Sequence, residues 1–361
     1  MTLTEIIIQR IQQEGPISFR DYMEMALYYP ELGYYTSAPH KIGTQGDFYT
    51  SSSLGSAFGT MIGRQLEDMW ELLGKEAFTI VEYGAGTGAL CHDILNYLKN
   101  NEELYAHLRY CIIEKSPSMR QIEASHLTEK VSWHDSIQEL APFTGCVLSN
   151  ELLDNLAVHQ VIRREELMEV FVDYQAGFTE KLLPASPPLK DYLADLHVIL
   201  PPNFRTEINL EALDWLREIA SSLTKGYVLT IDYGFTSDEL YQDYRRTGTI
   251  VCYHKHQVNE NPYQNIGEQD ITTHINFSAL IHLGAKFGLE LCGYTNQGRF
   301  LLALGFKEYL KNIAIPGQDE ANFKQELFLT QTLLMDMGRK FKVLIQGKGI
   351  PPKELLGLKL S

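Results

Sequence analysis

Residues 79–90 read TIVEYGAGTGAL, a β-branched run that ends at an acid and passes through three glycines into a helical pattern. Glu82 closes the run, and Gly84, Gly86 and Gly88 follow at every second position. Glycines at such a turn let the backbone approach a ligand with no Cβ in the way. A helix that opens there offers unpaired N–H groups and the positive end of its dipole. The spacing therefore predicts a ligand-binding loop at the carboxyl end of a strand.

Two cofactors fit the loop. Gly84, Gly86 and Ala89 match the dinucleotide fingerprint G-x-G-x-x-A. Taken as E-x-G-x-G-x-G, the same residues resemble the first motif of S-adenosyl-L-methionine-dependent methyltransferases. Glu82 favours the second, because an acid is unfavourable beside a pyrophosphate and favourable beside an aminoacyl sulfonium. Glu114 ends the next apolar run, Tyr110-Cys111-Ile112-Ile113, where it can accept from ribose hydroxyls under either alternative. Asp135, after the Val131–Trp133 run, can reach an adenine amino group, and it equally suits a surface loop.

A second constellation, SNELLDNLAV, follows Cys146-Val147-Leu148 and places Asn150, Glu151 and Asp154 beyond the end of another strand. These residues suit a helix cap, with acids in the first turn. They also suit a pair of carboxylates holding a cationic or hydrogen-bond-donating methyl acceptor. Asp270 and His274 stand four apart, the spacing of a helix cap. His254 and His256 have no third ligand at sensible spacing, so no metal site is expected.

The elements that position these residues alternate in type. Strands are expected at 79–83, 110–113, 131–133, 146–148 and 227–231, the last ending at Asp232. Helices intervene, one of them ALCHDILNYLK with Leu90, Ile94 and Leu98 on one face. Short apolar runs alternating with helices predict a mostly parallel sheet covered on both faces, an α/β fold. Residues 157–173 alternate like a hairpin, 207–223 are helical, and 289–306 suggest a terminal hairpin. The stretch 28–53 is long, polar and rich in Tyr, a composition that suits a functional loop.

With 46 acids against 31 bases the formal net charge is −15, which argues against nucleic acid and favours cationic or neutral substrates. The five cysteines form no C-x-x-C pair, as a reducing compartment would have it. No stretch approaches 18 consecutive apolar residues, so no membrane span is expected. The first residues lack signal or transit character, which suggests a cytoplasmic protein.

Several motifs together are similar to the MidA-like methyltransferase family, which includes a mitochondrial assembly factor for respiratory complex I. They are GYYTSAPHKIGTQGDFYTSS, VEYGAGTGAL, EKSPSM, SNELLDNLAVHQ, GYVLTIDYGF, GTIVCYHKH, GEQDITTHINFSAL and QGRFLLALG, in the family's order. The resemblance runs from about residue 5 to the MGRKFKVL segment at 337–344. It implies a class I, Rossmann-like methyltransferase fold using S-adenosyl-L-methionine and, as in the mitochondrial member, symmetric dimethylation of an exposed arginine on a protein partner. The domains expected are a helical extension over 1–77 carrying the GDFYTS loop, a methyltransferase domain over 78–306 with insertions at about 155–205 and 236–276, and a C-terminal helical segment over 307–361.

Carried over by position, Glu82, Gly84, Gly86, Gly88, Glu114, Asp135 and Asn150 would bind the cofactor. Glu151 and Asp154 would be catalytic, and Asp47, Tyr49, Asp232 and His274 would contact substrate. Where the family shows Pro-Glu after the threonine of GDFYT-S, Ser52-Ser53 stands here. The alternatives are a small-molecule methyltransferase, a dehydrogenase, and an assembly or chaperone-like protein that keeps the cofactor fold without turnover.

Overall fold

A computed structural model of the 361-residue chain describes residues 1–37, 55–127, 129–313, 328, 330–351 and 353–359. Asp47 and Tyr49, the GDFYTS loop and its Ser52-Ser53 departure lie outside the described residues.

The chain opens with α1 (Leu3–Glu14), where Thr2 and Glu5 form a capping box, and stops at Gly15 with φ 86°. Ser18, at the end of the short strand β1 (Ile17–Ser18), caps α2 (Phe19–Tyr28) through the Asp21 N–H at 3.0 Å. Helix α3 (Ser56–Leu73) then leads into strand, helix, strand alternation: β2 (Phe78–Tyr83), α4 (Ala89–Leu98), α5 (Glu102–His107), β3 (Leu108–Ile113), α6 (Pro117–His126), β4 (Val131–His134) and β5 (Phe143–Asn150). Every residue of β2 but Tyr83 is buried, as a strand covered on both faces requires.

Between β5 and the next core strand lie β6 (His159–Arg163), β7 (Leu167–Tyr174), β8 (Phe178–Pro184), α7 (Pro187–Asp195), β9 (Arg205–Ile208) and α8 (Glu211–Ser222). β10 (Leu223–Phe235) precedes a second insertion with α9 (Ser237–Leu240), β11 (Val251–His254), β12 (Gln257–Asn259), β13 (Asp270–Thr272) and β14 (Ile275–Asn276). The chain continues through α10 (Phe277–Lys286), β15 (Glu290–Asn296), α11 (Gln297–Ala303), α12 (Phe306–Ile313), α13 (Met337–Lys340) and β16 (Phe341–Lys348).

The main sheet has the order β15-β16-β10-β5-β2-β3-β4, with β14 adding two residues of parallel pairing to the end of β10. The five strands from β10 to β4 are parallel, and β16 runs antiparallel between β10 and β15. From β2 the chain steps outward to β3 and β4, then returns to β5 on the other side of β2. That reversal puts a crevice between the carboxyl ends of β2 and β5, where open α/β sheets take their ligands. One face is covered by α3, α4 and α11, which bury Phe58, Trp70, Ile94 and Phe300; the other by α8 and α10, which bury Leu216 and Phe277. Each such side chain contributes about 1.5–3 kcal/mol on leaving water.

The domain layout differs from the expected one in three respects. Helix α3 packs on the main sheet, whereas α1 and α2 share a separate core with Val158, Val172, Cys252 and Ile271 of the two insertions. The N-terminal helices and both insertions thus form one cap over the sheet, and the boundary at 77 divides α3 from its packing partner. The expected hairpin over 289–306 is strand β15 followed by helix α11, because Asn296 caps the helix through the Arg299 N–H at 2.9 Å and Phe300 and Leu301 are buried on its inner face. β15 instead takes its antiparallel partner from the tail: β16 is a buried strand of the main sheet, where 307–361 was expected to be helical.

Candidate functional site

A cavity of about 1740 Å³ opens at the carboxyl ends of β2, β3, β5 and β10. Its floor is the glycine loop. Gly84, Gly86 and Gly88 have φ of 64°, 59° and 78°, a left-handed backbone that disfavours L side chains. A Cβ on Gly84 would come within 2.9 Å of Leu152 Cδ1, so the loop and the turn after β5 touch through the absent side chain. Gly88 opens α4 with no side-chain cap but does not itself line the cavity: a Cβ there would meet Leu127 Cδ1 at 3.0 Å, so this glycine admits close packing after α6.

Glu82 lines the cavity, yet it is only 3 % exposed and accepts the Tyr110 hydroxyl at 2.7 Å. Burial pushes its carboxyl up to about 7, partly offset by that hydrogen bond. Glu114 is half-buried at the end of β3 and accepts the Ser116 N–H at 2.7 Å; burial raises its pKa. Asp135 stands at the cavity edge, its carboxylate exposed and ion-paired with Arg120. Asn150 ends β5 with a buried Oδ1 that has no hydrogen-bond partner, an acceptor still open to a donor. Glycines that admit a close ligand, an uncapped helix end, an acid at the end of each of two strands and an unmet acceptor fit an aminoacyl-nucleoside cofactor.

The turn after β5 carries the two carboxylates. Glu151 lies at φ 53°, a left-handed conformation unusual for a side-chain-bearing residue, and its N–H donates to the Ile231 carbonyl at 2.9 Å. Strain of this kind persists only where the surrounding structure enforces it. Asp154 is 4 % exposed and lines the cavity, with Oδ1 lacking a hydrogen-bond partner. Burial pushes its carboxyl up to about 6 against a hydrogen bond from Tyr233.

Two of the expected substrate contacts are found in different positions. Asp232 is buried behind the turn, where Oδ2 accepts the N–H groups of Leu153 at 2.9 Å and Asp154 at 3.3 Å. It is a brace for the turn and not a substrate contact, since β10 points its carboxylate at neighbouring backbone. His274 does line the cavity, edge-on to Tyr233 at 5.3 Å and Phe235 at 5.1 Å. Burial, with a smaller contribution from Arg245, pushes it down to about 4, so it is neutral near pH 7.

Sequence reasoning missed the aromatic wall opposite. Tyr28 and Tyr35 stack at 5.5 Å; the Tyr28 hydroxyl donates to Asn155 Oδ1 at 2.9 Å and the Tyr35 hydroxyl to Asp270 Oδ1 at 2.9 Å. The density of Tyr in 28–53 was the signal, but only the fold brings these rings against Asn155, 120 positions from Tyr35. Among the described residues no group of three His, Cys, Asp or Glu is arranged to hold a metal ion, and no helix is long and apolar enough to cross a membrane.

Fold, crevice and cradle together suit a methyltransferase. Residues 61–295 match the family described as "Putative S-adenosyl-L-methionine-dependent methyltransferase", and the chain belongs to that family. S-adenosyl-L-methionine is accordingly its cofactor.

A Burkholderia thailandensis crystal structure bound to S-adenosyl-homocysteine is similar over 98 % of this chain and 94 % of its own, with 29 % identity and a TM-score of 0.88. The mitochondrial protein arginine methyltransferase NDUFAF7 of Bos taurus is 28 % identical over 94 % of this chain and 81 % of its own. Its Drosophila melanogaster homolog is 26 % identical over 97 % and 85 %. These relatives are named as mitochondrial, and on that finding the expectation of a cytoplasmic protein is withdrawn.

Proposed function

We propose that this methyltransferase acts on arginine side chains of a protein partner, carrying them to symmetric dimethylarginine. The observation that carries the reading is the turn after β5, which presents Asp154 with an unpaired Oδ1 beside a conformationally strained Glu151 at the edge of the cofactor cradle. The names of the NDUFAF7 relatives support the acceptor class.

Glu114 and Asn150 would orient the cofactor through its hydroxyl and amino groups, over the loop of Gly84, Gly86 and Gly88. Bound there, S-adenosyl-L-methionine supplies a methyl group already activated on sulfur. The chain's own task is then proximity and alignment. A guanidinium stays protonated in proteins, its pKa being above 12. Glu151 and Asp154 would grip its planar fork and hold one nitrogen toward the cradle. As that nitrogen acquires the methyl group it sheds a proton, which Asp154 can take because its carboxylate has an oxygen without a hydrogen-bond partner and burial raises its basicity.

The test is transfer of labelled methyl from S-adenosyl-L-methionine into extract of cells lacking this protein, followed by hydrolysis and amino-acid analysis. Label in symmetric dimethylarginine, lost with Glu151→Gln while cofactor affinity stays within about threefold, supports the reading. Label confined to small molecules, or transfer undiminished in the variant, overturns it.

A further inference from the structure

The cavity walls differ in charge. On α8, Glu211, Asp214 and Glu218 fall at i, i+3 and i+7, which sets them along one helix face, and all three line the cavity. Glu24 of α2 lines it from the neighbouring element. The cations on the same cavity are Lys115 and, from α13 and β16, Arg339, Lys340 and Lys342. Arg20 is shared among Asp21 at 3.1 Å, Glu211 at 3.6 Å and Glu24 at 3.7 Å, and Arg217 pairs with Asp214 while lying over the Phe287 ring. Among the described residues Glu218 has no ion pair within 4.0 Å.

This face continues inward. Tyr28, Glu24, Glu211, Asp154 and Asp270 line the same cavity, so the carboxylates of α2 and α8 share it with those of the reaction site. At the inner end is Asp154, 4 % exposed, with an unpaired Oδ1. Two independent features, an outer acidic row and an inner unmet acceptor, thus line one cavity.

We propose that the α8 face is a docking surface for a basic segment, so that this enzyme selects arginines flanked by Lys or Arg. The inference rests on the arginine reading: the target side chain would reach Asp154 while flanking cations meet Glu211, Asp214 and Glu218. Exposed ion pairs each strengthen binding by about 1.5- to 5-fold, so two or three should give about tenfold preference, weakened by salt.

The experiment uses the full chain with S-adenosyl-homocysteine and three fluorescein-labelled nonapeptides having one central Arg, flanked by Lys, by Ala or by Glu. Anisotropy is read at low and at 0.5 M salt, and methyl transfer to the same peptides is measured with S-adenosyl-L-methionine. The expected order is Lys above Ala above Glu, with about tenfold between the first two. The variant Glu211→Gln/Asp214→Asn/Glu218→Gln should erase that preference while leaving affinity for the Ala-flanked peptide unchanged. Circular dichroism and cofactor affinity would show that this variant is folded. Equal affinities for Lys- and Ala-flanked peptides, or a preference that survives the triple substitution, overturns the docking surface. A Lys preference without any methyl transfer overturns the arginine-acceptor reading and leaves the docking surface standing.

Discussion

Asp232 Oδ2 accepts the backbone N–H groups of both Leu153 and Asp154, at 2.9 and 3.3 Å, from a carboxylate that is 1 % exposed. Its other oxygen accepts the N–H of Tyr233 at 2.9 Å. One side chain at the end of β10 therefore fixes the turn that presents Asp154, from the strand beside β5. Asp232→Ala leaves these buried amides without an acceptor, which costs about 1–3 kcal/mol for each group left unsatisfied. The expected outcome is lower thermal stability and a kcat reduced at least tenfold well below the melting temperature. Cofactor affinity by calorimetry should stay within about threefold, since the glycine loop lies on β2.

Glu82 gives the apoprotein a pH-dependent stability. Its folded pKa of about 7 is raised above the ordinary carboxylate value of 4.5 by burial. The folded state thus holds the proton more tightly than the unfolded chain. The stabilisation is fully present below pH 4.5 and is lost as pH rises through about 7. Glu82→Gln, which keeps an acceptor for the Tyr110 hydroxyl and has no proton to lose, should remove this dependence. Denaturant unfolding at pH 5 and pH 8 should show the wild type losing about 2.5 kcal/mol more than the variant over that interval. Parallel curves would show that Glu82 does not titrate there.

The sequence already carried the sheet, the glycine loop and the turn after β5, because each is a local pattern: an apolar run, a punctuating acid, glycines where the chain turns. Asp232 was noticed for its place at a strand end, yet its orientation depends on β10 lying beside β5, which no local pattern encodes. β16 escaped notice for a related reason. It pairs with β10 and β15 from the far end of the chain, and its antiparallel register is set by those partners. The shared core of α1, α2 and the insertions was hidden likewise, since Ile7, Val172 and Ile271 meet only after folding.

S-adenosyl-homocysteine should stabilise the chain, whereas NAD should not. A ligand at 100 times its dissociation constant adds about 2.7 kcal/mol to the folded state. For a chain of this size that corresponds to a melting-temperature rise of about 4 °C. Differential scanning fluorimetry with each cofactor checks this. A rise with NAD alone would return the loop to the dinucleotide class that its G-x-G-x-x-A spacing also matches.

The contact between the glycine loop and the turn after β5 can be tested from both sides. Gly84 has φ 64°, and a Cβ there would meet Leu152 Cδ1 at 2.9 Å. Gly84→Ala therefore suffers a left-handed backbone penalty of about 1–2 kcal/mol and a steric clash with one flexible side-chain end. Cofactor affinity should fall at least tenfold. Leu152→Ala combined with it removes the clash and not the backbone penalty, so the double variant should regain part of the lost affinity. Full recovery would mean that the loop tolerates a side chain at φ 64° and that sterics alone require glycine. No recovery would mean that backbone conformation alone requires it, and that Leu152 does not couple the acceptor turn to the cofactor loop.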